Sequence, residues 1–287
     1  MSPSTQYQAS YVQKLVLPEL KVEIDSLAVA ENEMLKVTRI KTNRFYGYWS
    51  AMVFCLLLTM GNVARGDDIE MVVELMTNGK FHEAAEVAIT VGGTEGFTLA
   101  ARALAIHGYE IAPESDKQEL FLRAINYAEK AVELDPSSSA ASLEISHAMG
   151  RYAQTISVAE ALSGGFAEKT KAAMDKAIRL DPTNFSAYLS VGSWHAEIVA
   201  AAGFMAKLLY GATEEQSLSA YQRARDLNPN SGLVHFEYAV GLMRLDSENL
   251  DLATEHLEKA ISLPITDAYG KIIQEKARKK LAQLLEE

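Results

Sequence analysis

Six histidines, His82, His107, His147, His195, His235 and His256, are the side chains best suited to acid–base or metal chemistry near neutral pH. None stands in a metal-ligand spacing. The chain has no His-Glu-x-x-His, and His195-Ala196-Glu197 puts His and Glu two apart, where helical side chains do not share a face. His195 and His235 therefore read as packed core positions. Trp194 and Glu197 are three apart and share a face, which suits either projection into a groove between repeats or an inter-repeat hydrogen bond with its packing partner. No serine lies in Gly-x-Ser-x-Gly, no carboxylate pair stands out from the acidic surface, and the single cysteine, Cys55, sits in an apolar stretch. Gly92-Gly93-Thr94-Glu95-Gly96 follows no strand and precedes no Lys-Ser/Thr, so it reads as a helix connector rather than a phosphate cradle. Catalytic residues, metal ligands and cofactors are therefore not expected.

The elements that must position these residues divide the 287-residue chain in two. With 38 Asp and Glu against 27 Lys and Arg, its net charge of −11 is a poor match to nucleic acid. One cysteine makes no intramolecular disulfide or cysteine zinc cluster. Residues 49–60, WSAMVFCLLLTM, are almost wholly apolar, and Lys36, Arg39, Lys41 and Arg44 precede them with no acid between Met34 and Arg65. This is the pattern of a signal peptide over 34–66, with Ala64-Arg65-Gly66 as the cleavage site and residues 1–33 as an over-extended, disordered start. The alternative is an N-terminal anchor in the inner membrane, since 45–64 is just long enough to cross ~30 Å of hydrocarbon. Cleavage leaves residues 67–287 with 20 basic and 33 acidic residues, a net charge of −13 and no cysteine.

Residues 67–287 repeat themselves. AEKAVELDP at 128–136, MDKAIRLDP at 174–182, YQRARDLNP at 221–229 and LEKAISLP at 257–264 align on Ala131, Ala177, Ala224 and Ala260. Each phrase has the apolar face of an amphipathic helix and ends at a proline, which cannot continue it. New helices are expected after caps such as Ser137 and Thr183. In the second of these, Tyr188, Val191, Gly192 and His195 form one stripe at i, i+3, i+4 and i+7. Those positions resemble Trp-x2-Leu-Gly-x2-Tyr of the tetratricopeptide repeat (TPR). Ala177 and Pro182 match that family's late alanine and proline, and Ala253, Leu257 and Ala260 its second helix. Asn78-Gly79-Lys80-Phe81, with Ala84 and Ala88, resembles a further turn and second helix.

Spacings of 46 and 47 exceed the usual 34 and place insertions at 152–170 and 196–216. This long period, with the SWHAEI and LLYGA stretches, resembles the branch containing periplasmic proteins associated with tripartite transporters and the regulator of microtubule dynamics proteins. The resemblance implies an all-α fold, an α-α superhelix built as a TPR-like solenoid of antiparallel helix pairs, with the mixed-charge helix within 265–287 as a terminal cap. It further implies an exported, periplasmic, non-catalytic scaffold for a protein or peptide partner. The alternative is an accessory protein of a transport system carrying a small apolar ligand. Tyr188, Trp194, His195, Glu197, Phe204 and Tyr210 are the candidate groove or cavity residues, although the apolar insertion 198–210 is expected to be mostly core. The oligomeric state is not readable from the sequence.

Overall fold

A computed structural model of the protein describes residues 66–286. The expected signal peptide and the start before it fall on residues 1–66, of which only Gly66 is among the described residues. Among the described residues there is no strand, and thirteen α-helices follow one another. They are α1 (66–77), α2 (Phe81–Val91), α3 (Gly93–Glu110), α4 (Glu114–Leu134), α5 (Ser139–Ala153), α6 (Val158–Ser163) and α7 (Phe166–Leu180). After them come α8 (Phe185–Ala202), α9 (Met205–Tyr210), α10 (Glu214–Leu227), α11 (Gly232–Leu245), α12 (Leu250–Ser262) and α13 (Ala268–Glu286).

The repeated Asp/Asn-Pro phrase sets the boundaries. Asp135, Asp181 and Asn228 end α4, α7 and α10, because the residue before a proline is driven out of the helical region. The next helices start at Ser138, Asn184 and Ser231, whose side chains accept the backbone N–H three residues on. The caps therefore fall one residue later than the sequence suggests. Ser137 and Thr183 are already engaged, since each donates its N–H and its hydroxyl to the carboxylate of Asp135 or Asp181. Between α2 and α3 the chain turns at Gly92 and Gly93, with φ of +62° and +67°. Only glycine takes two such residues in succession without strain, and the connector needs both.

Consecutive helices pack in pairs: α3 with α4, α5 with α7, α8 with α10, and α11 with α12. Val72 of α1 packs into the alanines of α2 and α3. Helices α3, α5, α8, α11 and α13 lie side by side as an inner layer, with α2, α4, α7, α10 and α12 behind them. The phrase alanines Ala131, Ala177, Ala224 and Ala260 are all buried, where a small side chain lets neighbouring helices close up.

One aromatic ring shows how tight this packing is. Tyr221 of α10 is fully buried, stacks on Tyr238 at 5.2 Å, and shares a 3.0 Å hydrogen bond with Ser193. Its ring lies against two glycines. A Cβ at Gly192 would stand 2.9 Å from the ring, and one at Gly241 would stand 2.3 Å from it.

The last helix does more than cap the stack. Ile273 and Ala277 of α13 bury against the final pair, while Lys276 reaches Glu110 of α3 at 2.6 Å and lies over the Tyr109 ring. Ala268 sits against Gly79 in the turn before α2, where an added Cβ would be 3.0 Å away. The solenoid thus closes into a ring, with Lys276, Lys279 and Lys280 of its terminal helix turned inward.

Candidate functional site

The inner helices enclose a cavity of about 1520 Å³. Ion pairs between different helices tie its wall together: Arg102 to Glu144 at 2.7 Å, Glu110 to Lys276 at 2.6 Å, and Glu197 to Arg244 at 3.0 Å. Arg151 lies 3.4 Å above the Tyr109 ring, a close cation–π contact. Glu237 projects from α11 into the electrostatic field of Arg151, Arg244 and Lys276, with Ser193 donating at 3.5 Å. Burial raises its pKa above the ordinary carboxylate value, and Arg151 and Arg244 only partly oppose this. Leu143, Trp194, Ile198, Phe236 and Val240 supply apolar wall between these groups. Trp194 is fixed from behind, its indole N–H donating to the carbonyl of Ala167 at 3.1 Å.

One constellation was invisible in the sequence. Glu144 Oε2 lies 3.2 Å from Nδ1 of His147, and Nε2 of His147 lies 2.9 Å from Oγ of Ser190, all three lining the cavity. The i, i+3 spacing of Glu144 and His147 was legible as a shared face, but Ser190 is 43 residues from His147. The arrangement has the members of a nucleophile–base–carboxylate triad. Ser190 lies inside α8, whose own backbone N–H groups are committed to the helix. Ionised Glu144 can only accept, so it holds the proton of His147 on Nδ1 and leaves Nε2 as an acceptor. The single hydroxyl proton of Ser190 stands between that Nε2, at 2.9 Å, and the carbonyl of Ser186, at 3.0 Å. With Arg102, the chain Arg102–Glu144–His147–Ser190 links α3, α5 and α8 as a positioning relay.

The residues singled out from sequence divide in two. Trp194, Glu197 and Tyr210 line the cavity, whereas Tyr188, His195 and Phe204 do not. Tyr188 packs beside the core near Leu189 and carries Arg223 over its ring. His195 is buried behind the wall, its Nδ1 accepting the backbone N–H of Thr213 at 3.3 Å. Phe204 is 91% exposed. The expectation that 198–210 is mostly core is therefore corrected. Helix α9 is six residues long and packs chiefly on α8, burying Ala206 in a cluster with Met174, Trp194 and Ala220 while Leu208 and Leu209 stay largely exposed.

His235 and His256 meet in the core between α11 and α12, Nδ1 to Nδ1 at 2.8 Å. Nε2–H of His235 donates to the carbonyl of Pro229 at 2.9 Å, which in the neutral ring leaves its Nδ1 to accept from His256. Burial lowers the pKa of His195 and His256 to about 4 and that of His235 in the same direction. The unfolded chain therefore takes up these protons first, and the stabilisation is full only above the unfolded value near 6.5. The thermal midpoint is expected to fall by several degrees between pH 7 and pH 5, and His256→Phe to flatten that slope. A midpoint independent of pH over this interval would mean that the pair does not ionise on unfolding.

Repeated antiparallel helix pairs around a concave inner layer define a helical-repeat protein of the tetratricopeptide class. A thermophilic TPR protein from Thermus thermophilus, TTC0263, superimposes over 77% of this chain and 98% of its own, with 16% identity and a TM-score of 0.56. Residues 93–286 match the model of the regulator of microtubule dynamics protein 1-3 family, and the chain belongs to that family. YrrB, described as a TPR protein with an unusual peptide-binding site, shares 13% identity over 74% of this chain and 90% of its own, with a TM-score of 0.37. No curated protein matches the sequence.

Proposed function

We propose that the protein is an exported, non-catalytic binding module of the cell envelope whose central cavity holds a segment of a partner polypeptide. The observation that carries this reading is the cavity itself. At about 1520 Å³ it exceeds the ~300–1,000 Å³ of ordinary small-molecule clefts. Its wall also alternates apolar side chains with fixed ion pairs, which suits a chain presenting both side chains and backbone amides.

A photo-crosslinking residue in place of Val240, inside the cavity, should capture a polypeptide in the native cells. The same residue in place of Leu134, on the outer layer, should not. The captured species is expected in the periplasmic fraction, with Asp67 as the first residue of this chain. Equal capture at both positions, or none at either, would remove the polypeptide reading.

One observation favours the second reading, an accessory protein of a transport system. Trp194, Ile198, Leu209 and Tyr210 form an apolar stretch of wall leading to the cavity mouth, fit for an apolar ligand. In that case native mass spectrometry of the purified protein shows a small bound mass and the crosslinker captures no polypeptide.

A further inference from the structure

The charges that face the cavity do not follow those of the body around it. Residues 67–287 carry a net charge of −13, yet cations outnumber carboxylates on the cavity wall. Arg102, Arg151, Arg244, Lys276, Lys279 and Lys280 stand against Glu110, Glu144, Glu168, Glu197 and Glu237. Three of each sign are paired with one another, as Arg102–Glu144, Arg244–Glu197 and Lys276–Glu110. Among the described residues, no carboxylate stands within ion-pair distance of Arg151, Lys279 or Lys280. The two remaining acids do little to offset them. Glu168 is exposed in the first turn of α7, and burial works against the charged form of Glu237.

Helix α13 is the main source of this charge. Over Ala268–Glu286 it carries Lys271, Lys276, Arg278, Lys279 and Lys280 against Glu275 and Glu286, and ring closure brings its inner face to α3. Lys276 and Arg151 both lie over the Tyr109 ring, at 4.7 and 3.4 Å from its centre. Lys279 and Lys280 follow Lys276 at i+3 and i+4, about 6 Å along the same face. Four cations therefore gather at one end of an enclosed space. Like charges this close repel one another, and low-dielectric walls concentrate their field, so an anion is drawn to them.

Arg151 indicates which anion. Its position over Tyr109 fixes the guanidinium, and Gln154 takes one of its five N–H donors at 3.3 Å. The remaining fork matches a planar carboxylate, to which it can donate two parallel hydrogen bonds. Leu143, Phe236 and Val240 line the same cavity and have nothing to offer a small hydrated anion. They suit a chain in which acidic side chains stand among apolar ones.

We propose that the cavity selects an acidic segment of its partner, whose Asp and Glu side chains seat on Arg151, Lys279 and Lys280 while apolar neighbours pack on Leu143, Phe236 and Val240. The proposal rests on the polypeptide reading above and adds the chemistry of the segment.

The test titrates the full chain, by calorimetry, with three twelve-residue peptides blocked at both termini: Glu-Ala-Ser-Val repeated three times, and the same sequence with Gln or Lys in place of Glu. Blocked ends leave side-chain carboxylates as the anions. The Glu peptide is expected to bind about tenfold more tightly than the Gln peptide, and the Lys peptide most weakly, with the margin narrowing as salt rises. Lys279→Gln combined with Lys280→Gln removes two unpaired charges and leaves the thermal midpoint in place, yet should cut that margin to about twofold. Arg151→Gln should act in the same direction, whereas Arg179→Gln, exposed on the outer layer, should change nothing. Equal binding of the Gln or Lys peptide overturns the proposal, as does a margin that survives both cavity variants. A chain that captures a polypeptide at Val240 in cells but binds none of the three peptides also overturns it, and leaves the polypeptide reading standing. Failure of both capture and binding removes the two together.

Discussion

Replacing Gly241 with alanine is expected to destabilise the domain by about 2–3 kcal/mol, although the same change in an open helix stabilises by up to about 1 kcal/mol. The new Cβ would fall 2.3 Å from Tyr221 Cε2 and 2.6 Å from both Cζ and the hydroxyl oxygen. The ring has no room to yield, being fully buried, stacked on Tyr238 and hydrogen-bonded to Ser193. Gly192→Ala meets the same ring at 2.9 Å and should cost less. Denaturant unfolding reads both effects as a lower midpoint with an unchanged slope. In a Tyr221→Leu background the Gly241→Ala penalty should largely vanish, because residues in contact do not act additively. A penalty that persists unchanged in that background would place the cause elsewhere.

Arg102→Met is expected to cost about 3–5 kcal/mol near neutral pH, more than Glu144→Gln at the other end of the same ion pair. The asymmetry follows from exposure: the Arg102 side chain is 40% exposed, and that of Glu144 is 1% exposed. An arginine that loses its partner can turn to water, whereas the carboxylate cannot. Burial alone pushes Glu144 up, but Arg102 and then His147 outweigh it and bring the pKa to about 2. Since this lies below the unfolded value, the ionised pair stabilises fully above about pH 4.5 and is lost as pH falls toward 2. In Arg102→Met the carboxyl group takes up its proton at a higher pH, so the penalty relative to the parent should shrink on acidification. Unfolding curves at pH 7 and pH 4 measure this. A penalty that grows with acidification would refute the assigned cause.

Much of the architecture was legible because the repeated phrase joins two strong signals, an alanine at a crowded helix contact and a proline that ends the helix. His195 and His235 as packed positions followed from the same register. What was not legible came from contacts at long range. Gly241 lies two residues past Ala239, the position aligned with Gly192, and only the placement of Tyr221 gives it meaning. The relay from Glu144 through His147 to Ser190 needs two helices in register, and Lys276 meeting Glu110 needs the whole superhelix to come round. The exposed face of α9 was misjudged because hydrophobicity was read without counting neighbours. Six residues between Gly203 and Gly211 have one narrow face to bury, and Ala206, set among Met174, Trp194 and Ala220, fills it.

An open array of helical repeats behaves as a one-dimensional chain of coupled units, each stabilised by its neighbours, so that its ends fray first. The contacts from α13 to Glu110, Tyr109 and Gly79 join the two ends of that chain. The one-dimensional lattice becomes circular, and no repeat remains terminal. Local opening at either end then breaks two interfaces instead of one, as opening inside the array already does, which favours all-or-none unfolding over progressive fraying.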